Sequence, residues 1–278
     1  MQEEIVVKAP TTEALTPAQT TQKAEDLGVT KTEMSFGRSF ALSIMAGAFI
    51  AMGAMFFSLV VGDPALPFAI QRVLGGFLFC LGLILVVVAG AELFTGNTMI
   101  VMTAASKRIK WSAVWKNWIV VFFGNFLGAL VIVGLVFLSD MSAMNGGQVG
   151  QTMVSVAAGK MHADWLVLFA KGIMCNFLVC LGVWMAYASK TVADKILAVV
   201  FPITAFVACG FEHCVANMFF LPMGALLASC GIAPAGIDPA SVNMLGALYN
   251  WSATVPGNIV GGALMVGMMY WFIYRKKN

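Results

Sequence analysis

Long apolar stretches separated by short polar segments dominate the chain after residue 36. They cover residues 37–61, 68–105, 113–139, 164–189, 196–229 and 245–274. Because a helix needs roughly 20 apolar residues to cross a bilayer, this pattern predicts six transmembrane crossings. The second and fifth stretches are longer than one crossing requires, and glycine and acidic residues interrupt both. We therefore expect two broken helices.

Composition gives the same picture. Hydrophobic residues make up 60% of the chain and charged residues 10%, with a mean hydropathy of +0.89. These values lie far from those of soluble domains, and they predict an all-α membrane protein. Residues 1–36 are polar and threonine-rich, which predicts a cytoplasmic tail or amphipathic helix rather than a cleaved signal. Residues 37–274 form the predicted membrane domain, and residues 275–278 a basic C-terminus.

Lysine and arginine placement predicts the orientation, since cytoplasmic loops carry an excess of both. With a cytoplasmic N-terminus, that side receives Lys8, Lys23, Lys31, Arg38, Lys107, Arg108, Lys110, Lys116, Lys190, Lys195, Arg275, Lys276 and Lys277. The opposite side receives Arg72, Lys160 and Lys171. We therefore expect both termini in the cytoplasm. The net charge of +3 follows from this bias and does not call for a nucleic-acid partner.

An internal repeat joins the two halves of the chain. The pattern GxExxxxN occurs as GAELFTGN at 90–97 and again as GFEHCVAN at 210–217. Each copy is followed by a GNxxG crossing, GNFLG at 124–128 and GNIVG at 257–261. Each half then contains a broken crossing followed by a glycine-rich one.

Three crossings per half reverse the direction of entry, so the halves form an inverted repeat, about 37–139 and 164–274. Such repeats place the solute pathway where the broken helices meet near the midplane. The half-helix ends there offer free N–H groups and a partial positive charge to an anion.

Glu92 and Glu212 are the two carboxylates expected at membrane depth, one in each break. An ionisable residue at that depth is functional by default, but two acids would repel an anion. We therefore expect Glu92 and Glu212, with Asn217, to support the helix breaks by binding free N–H groups of the following half-helix.

His213 replaces Leu93 of the first repeat, so the shared architecture does not require it. A histidine can donate a hydrogen bond when neutral or a proton when charged, with a reference pKa near 6.5. We expect His213 to contact the solute, and the alternative is a buried histidine with satisfied hydrogen bonds. Thr95 is a second candidate, whose alternative role is hydrogen bonding within its own loop.

The motifs GAELFTGN, KNWIVVFFGNFLGAL, GFEHCVANMFFLPMG and PGNIVGGALMVG resemble the formate/nitrite transporter family, and the resemblance covers nearly the whole chain from Lys31 onward. It implies a pentameric bacterial inner-membrane channel for small monovalent anions with an aquaporin-like protomer. It is strongest for the formate-channel branch of the family.

The resemblance also implies roles for individual residues. It predicts a gating loop of Leu93, Phe94, Thr95, Gly96 and Asn97. It places apolar constrictions at Phe79, Leu83, Leu93 and Phe206. Lys160 and Asn176 match a pair beneath the outer vestibule. From the residues alone, Lys160 is equally an interfacial lysine that reaches water, and Asn176 a helix–helix hydrogen-bonding residue. His162 receives no role.

These observations predict a pH-sensitive, bidirectional formate channel, in which Lys160 attracts the anion and His213 hands it a proton. Passage of the anion throughout is the alternative mechanism. Nitrite, hydrosulfide and acetate are alternative substrates, and a neutral-solute channel and a membrane-embedded enzyme are alternative classes. The sequence lacks catalytic and phosphate-binding motifs, and we expect neither a cofactor nor a metal.

Overall fold

The computed structural model describes residues 13–275, which form a helical bundle. The helices are α1 (Pro17–Glu33), α2 (Phe36–Val61), α3 (Phe68–Leu85), α4 (Phe94–Asn97), α5 (Val101–Ala105), α6 (Trp111–Leu138), α7 (Gln148–Met161), α8 (Trp165–Ala188), α9 (Val192–Ala208), α10 (Cys214–Ser229), α11 (Met244–Ile259) and α12 (Met269–Tyr274). Short 3₁₀ and π segments join several of them, and the described residues contain no strand. The predicted all-α fold is confirmed.

Five helical segments among residues 13–275 are long and apolar enough to cross a membrane. They are Phe36–Val61, Phe68–Gly90, Trp111–Leu138, Trp165–Ala188 and Met244–Tyr274. The remaining predicted crossing consists of α9 and α10, with 17 and 16 residues. At about 1.5 Å per residue each spans about 25 Å, less than the ~30 Å hydrocarbon core. The fifth crossing is therefore two half-helices, as the break in its sequence predicted.

The inverted repeat is visible in the packing. In the first half α2 packs against α3 and α6, and in the second α8 packs in the same way against α9 and α11. The helices α3 and α9 pack against each other between the halves. The last glycine of each GNxxG motif lies at a helix crossing, because a Cβ on Gly128 would collide with the Ile44 carbonyl and one on Gly261 with the Ile173 carbonyl.

Each half contains one more helix than the sequence analysis assigned to it. The helix α1 precedes the first half, and α7 precedes the second. Each carries a lysine near its C-terminal end, Lys31 on α1 and Lys160 on α7, and each lysine binds the glutamate of its own half. Residues 1–36, predicted as a cytoplasmic tail or amphipathic helix, include the helix α1, while residues 1–12 lie outside the described part.

A buried carboxylate fixes α1 to the rest of the bundle. Glu25 is fully buried, and its oxygens accept from the Ser106 hydroxyl (2.5 Å) and the Arg275 Nε (3.2 Å). Arg108 also lies near it, at 3.5 Å, and forms a shorter ion pair with the exposed Asp26 at 2.7 Å. The hydrogen bond from Arg108 lowers the pKa of the Asp26 carboxyl. Glu25 thus joins α1 to the C-terminal end of α12.

We expect Glu25→Ala to undock α1, because the loss removes the acceptor of one hydroxyl and two guanidinium groups. Removing one such buried partner costs about 1–3 kcal/mol. Trypsin cleavage at Lys23 in detergent should then become several-fold faster. Asp26→Asn is the matched control, since an exposed ion pair contributes about 0–1 kcal/mol. Equal cleavage rates in the two variants would show that Glu25 does not hold the helix.

Candidate functional site

At each break, an asparagine on the long helix that follows the break in the sequence forms hydrogen bonds to the backbone of the broken helix. At the first break Asn125 on α6 accepts from the Phe94 amide (2.9 Å). Its amide group donates to the carbonyls of Glu92 (2.9 Å) and Ser43 (2.7 Å). The side chain is fully buried, so it replaces the water that backbone groups lack at membrane depth.

The second break repeats this arrangement. Asn258 on α11 accepts from the Cys214 amide (2.8 Å) and donates to the carbonyls of Glu212 (2.8 Å) and Gly172 (2.8 Å). Asn125 and Asn258 are the asparagines of the two GNxxG motifs. The motif therefore combines close helix packing with support of the neighbouring break.

The Glu92 carboxylate lies in a network of side chains. It accepts from the Lys31 ammonium (2.7 Å) and from the Asn97 amide group (2.7 Å). Lys31 also donates to the side-chain oxygen of Asn97 (2.9 Å), and the side-chain amide group of Asn97 donates to the side-chain oxygen of Asn117 (2.9 Å). Burial acts to lower the pKa of Lys31, but the Glu92 carboxylate more than offsets this and the pKa is raised. Lys31 therefore stays charged.

The Glu212 network has equivalent members, but Lys160 does not donate to Asn217, and Asn250 donates to the Glu212 carboxylate instead (3.3 Å). Glu212 accepts from Lys160 (2.9 Å) and Asn217 (2.7 Å), and Asn217 donates to Asn250 (2.8 Å). The Lys160 ammonium lies 5.5 Å from the centre of the Phe220 ring. The side-chain oxygen of Asn217 has no hydrogen-bond partner among the described residues.

These contacts correct one prediction. Glu92, Glu212 and Asn217 lie at the breaks, but the two carboxylates do not bind the N–H groups of the following half-helices. Asn125 and Asn258 already bind those amides, and the carboxylates bind lysine instead, because a buried carboxylate is stabilised more by an opposite charge.

The pattern that predicts the asparagines is present in the sequence. NWIVVFFGN at 117–125 and NWSATVPGN at 250–258 share both asparagines at the same spacing, so a longer alignment of the repeats would have found them. Lys31 has no comparable signal, since α1 and α7 do not resemble each other in sequence.

Two cavities open towards the breaks from opposite ends of the bundle. The α1-side vestibule, of about 530 Å³, is lined by Lys31, Glu92 and the predicted constriction residues Leu83 and Leu93. Lys23 also lines it, and burial together with the charges of Lys195 and Lys190 lowers the pKa of Lys23. The lysines that line this vestibule make it rich in positive charge.

The α7-side vestibule, of about 270 Å³, is lined by Lys160, Glu212, His213 and the other two predicted constriction residues, Phe79 and Phe206. The two phenylalanine rings meet edge to face with centres 5.7 Å apart, and the His213 ring stacks on Phe206 at 5.7 Å. The predicted constriction residues thus divide into one pair at each vestibule, with all four side chains buried.

His213 and Thr95 lie between the vestibules and contact each other directly. The Thr95 hydroxyl is 3.0 Å from the His213 Nε2, so the two side chains are within hydrogen-bond distance of each other. His213 is also the N-cap of α10, because its Nδ1 accepts from the Ala216 amide (2.9 Å). Since Nδ1 accepts a hydrogen bond, neutral His213 carries its proton on Nε2, aimed at Thr95.

Asn176 lies elsewhere than the resemblance implied. It lines neither vestibule. Its amide group donates to the Thr95 carbonyl (3.2 Å), the Thr98 hydroxyl (3.1 Å) and the Asn258 carbonyl (2.7 Å). Pairing with Lys160 beneath the vestibule is therefore not observed, and the contacts match the other interpretation, a hydrogen bond between helices.

The predicted gating loop, residues 93–97, is largely helical. Leu93 is extended, and Phe94–Asn97 form the single turn α4. Phe94 is buried against Trp118 and Phe122, with ring centres 6.2 and 5.3 Å away. In this helical, buried position the segment places Thr95 in contact with His213. His162 is exposed, and its ring Nε2 lies 3.2 Å from the Ser241 carbonyl oxygen.

Among the described residues no three His, Cys, Asp or Glu side chains are grouped as metal ligands would be. The site contains hydrogen-bond donors and paired charges at two breaks, between two cation-lined cavities. That arrangement suits binding and passage of a small anion.

Comparisons with known proteins agree with this geometry. The formate/nitrite transporter family profile matches residues 18–272. The formate channel FocA of Escherichia coli strain K12 is 39% identical over 274 residues, 95% of this chain and 96% of that protein. A solved pentameric formate channel with formate bound is 37% identical with a TM-score of 0.77, covering 87% of this chain and 98% of its own.

A second solved structure, an ion channel of the same family, has a TM-score of 0.80 at 27% identity and covers 92% of this chain and 98% of its own. These relatives are channels rather than enzymes, which confirms that the chain is not an enzyme. The repeated breaks, the two vestibules and the profile match lead to one conclusion: this chain is a multi-pass membrane protein that belongs to the formate/nitrite transporter family.

Proposed function

We propose that this protein is a channel of the bacterial cytoplasmic membrane that conducts formate in both directions. The observation that carries the proposal is the Thr95–His213 contact between the two vestibules. A carboxylate accepts hydrogen bonds from hydroxyl and ring N–H donors. Formate entering between Thr95 and His213 replaces one mutual hydrogen bond with two bonds to its own oxygens.

The apolar residues on either side of this contact govern what can pass. An anion loses hydration at the Phe79–Phe206 and Leu83–Leu93 constrictions, at a high cost in free energy. A neutral acid avoids most of that cost. The channel therefore either carries the anion, stabilised by half-helix ends, or carries formic acid after proton exchange at His213.

The hydrogen bond from Ala216 bears on this choice. An imidazolium needs protons on both ring nitrogens, so His213 must release the Ala216 amide before it can hold a second proton. Neutral His213, by contrast, donates through Nε2 without any rearrangement. We propose hydrogen-bond donation as its resting role, with proton exchange requiring a shift of the first turn of α10.

Orientation and assembly belong to the same proposal. We place both termini and the α1-side vestibule in the cytoplasm, because the large majority of the lysines and arginines lie on that side. The pentameric state of the solved relative at 37% identity supports a homopentamer. Exposed apolar side chains on α3 and α6, such as Phe77 and Phe123, would then face lipid or a neighbouring protomer.

pH sensitivity has two candidate sources. One is His213. The other is the contact of α1 with residues 93–97, which depends on the Lys31–Glu92 ion pair. Release of that contact would free the predicted gating segment.

Substrate flux into liposomes tests the proposal. We expect formate to enter proteoliposomes at least tenfold faster than empty liposomes, with glycerol no faster than in the empty ones, because the vestibules select for negative charge. Acetate, nitrite and hydrosulfide are measured in parallel. Rapid nitrite or hydrosulfide flux without formate flux would assign the protein to another branch of the family, and glycerol flux would contradict anion selectivity.

A further inference from the structure

Arg72 contacts the end of a half-helix in the α7-side vestibule. It lies one turn into α3, and its guanidinium donates to the Ala208 carbonyl through Nε (3.0 Å) and to the Val207 carbonyl through Nη2 (2.8 Å). These two residues end α9, immediately before the second break. Arg72 also lines the vestibule that contains His213.

The repeat shows that the shared architecture does not require this arginine. The register that aligns Glu92 with Glu212 aligns Arg72 with Val192, a side chain that is exposed and has no hydrogen-bond donor. Within the described chain no side chain donates to the carbonyls of Val87 or Val88, the residues that align with Val207 and Ala208 at the equivalent end of the first half-helix. The cap is therefore specific to the α7 side.

Electrostatics gives the cap a consequence for anions. The C-terminal end of a helix carries a partial negative charge of roughly half an electron, and α9 ends beside the vestibule. That end would repel an approaching anion. The guanidinium of Arg72 more than cancels it, so the local charge becomes positive.

Lys160 does not supply this charge. Its ammonium forms an ion pair with Glu212 at 2.9 Å, and both side chains are mostly buried. The other two cations of the vestibule are Arg72 and Lys171, and neither has a carboxylate within 4.0 Å among residues 13–275. The net positive charge of the α7-side vestibule therefore belongs to Arg72 and Lys171.

We infer that Arg72, assisted by Lys171, determines how fast anions are captured at the α7-side mouth, by reversing the charge at the end of α9. The inference rests on the proposed function as an anion channel, and it assigns to Arg72 the attraction of anions that was predicted for Lys160. Lys160 then holds Glu212 at the break.

The test compares Arg72→Gln, Arg72→Lys and Lys171→Gln in right-side-out and inside-out membrane vesicles. Initial uptake of formate and, in parallel, of nitrite is measured at substrate concentrations below saturation, with the ionic strength outside the vesicles set to about 0.01 M or about 1 M, so that only the outward-facing vestibule is screened. The Debye length falls from about 30 Å to about 3 Å over that range.

We expect Arg72→Gln to lower uptake by about three- to tenfold when the α7 side is at low ionic strength, as loss of steering does, with little loss when that side is at high ionic strength. Arg72→Lys should retain most of the wild-type rate because it keeps the charge. Lys171→Gln should reproduce a smaller part of the effect, since Lys171 does not bind the helix end.

Three results separate the possibilities. A loss for Arg72→Gln that does not depend on the ionic strength of the α7 side, or that depends equally on the ionic strength of the α1 side, would mean a structural role only and overturn the inference. Unchanged uptake would overturn it as well. If wild-type vesicles pass nitrite but not formate, the proposed substrate is wrong, and the nitrite rates still decide the role of Arg72.

Discussion

Asn258→Leu should abolish assembly of the protein, and Asn125→Leu should do the same. Leucine has a similar volume but leaves three backbone groups without partners at each break, the Cys214 amide and the carbonyls of Glu212 and Gly172 in the case of Asn258. Each unpaired buried group costs about 1–3 kcal/mol. The total is comparable to the 5–15 kcal/mol that stabilises a typical protein.

Yield after membrane extraction and thermal unfolding in detergent measure this effect. Asn243→Ala is the matched control, because Asn243 is an exposed N-cap that donates and accepts only at the start of α11. Its loss should cost about 0.5–2 kcal/mol. An Asn258→Leu protein that unfolds at the wild-type temperature would show that the hydrogen bonds of Asn258 do not stabilise the broken helix.

His213→Asn should separate the two roles of the histidine. Asparagine is a good N-cap, so it can still accept from the Ala216 amide, but it lacks the Nε2 group that meets Thr95. We expect normal assembly with formate flux reduced about ten- to a hundredfold, the equivalent of one polar contact of 1–3 kcal/mol. His213→Phe loses both contacts and should also lose stability.

The pH profile of the same variants distinguishes hydrogen bonding from proton exchange. If His213 passes protons to formate, wild-type import should fall as pH rises, because fewer protons are available for the exchange, and His213→Asn should flatten that profile. If His213 only donates a hydrogen bond, the profile should keep its shape while the rate falls. Thr95→Val, which removes the partner hydroxyl, is the control for the contact itself. Wild-type flux and pH profile in His213→Asn would contradict both roles.

The sequence predicted the features that follow from composition and repetition. The lengths of the apolar stretches predicted the membrane crossings. The GxExxxxN repeat located both breaks, because a glutamate and an asparagine at membrane depth need a structural reason. The comparison of His213 with Leu93 also identified the residue that contacts Thr95. These inferences required no knowledge of how helices pack.

Partners across the fold could not be predicted in this way. Lys31 and Glu92 are distant in sequence and meet because α1 docks beside the first break. Arg72 reaches the end of α9 only because α3 packs against that helix. The contacts of Asn176 could not be predicted either, since its position in a span does not indicate which groups its amide meets.

Hydrophobic periodicity, charge bias and an internal repeat are properties of the chain itself, so the sequence alone determined the membrane class, the two broken helices and the location of the site. Which charge is paired and which is free depends on contacts between distant segments. From the sequence Lys160 is a full positive charge, but in the structure its ion pair with Glu212 cancels that charge. Only the tertiary structure decides where such ion pairs form.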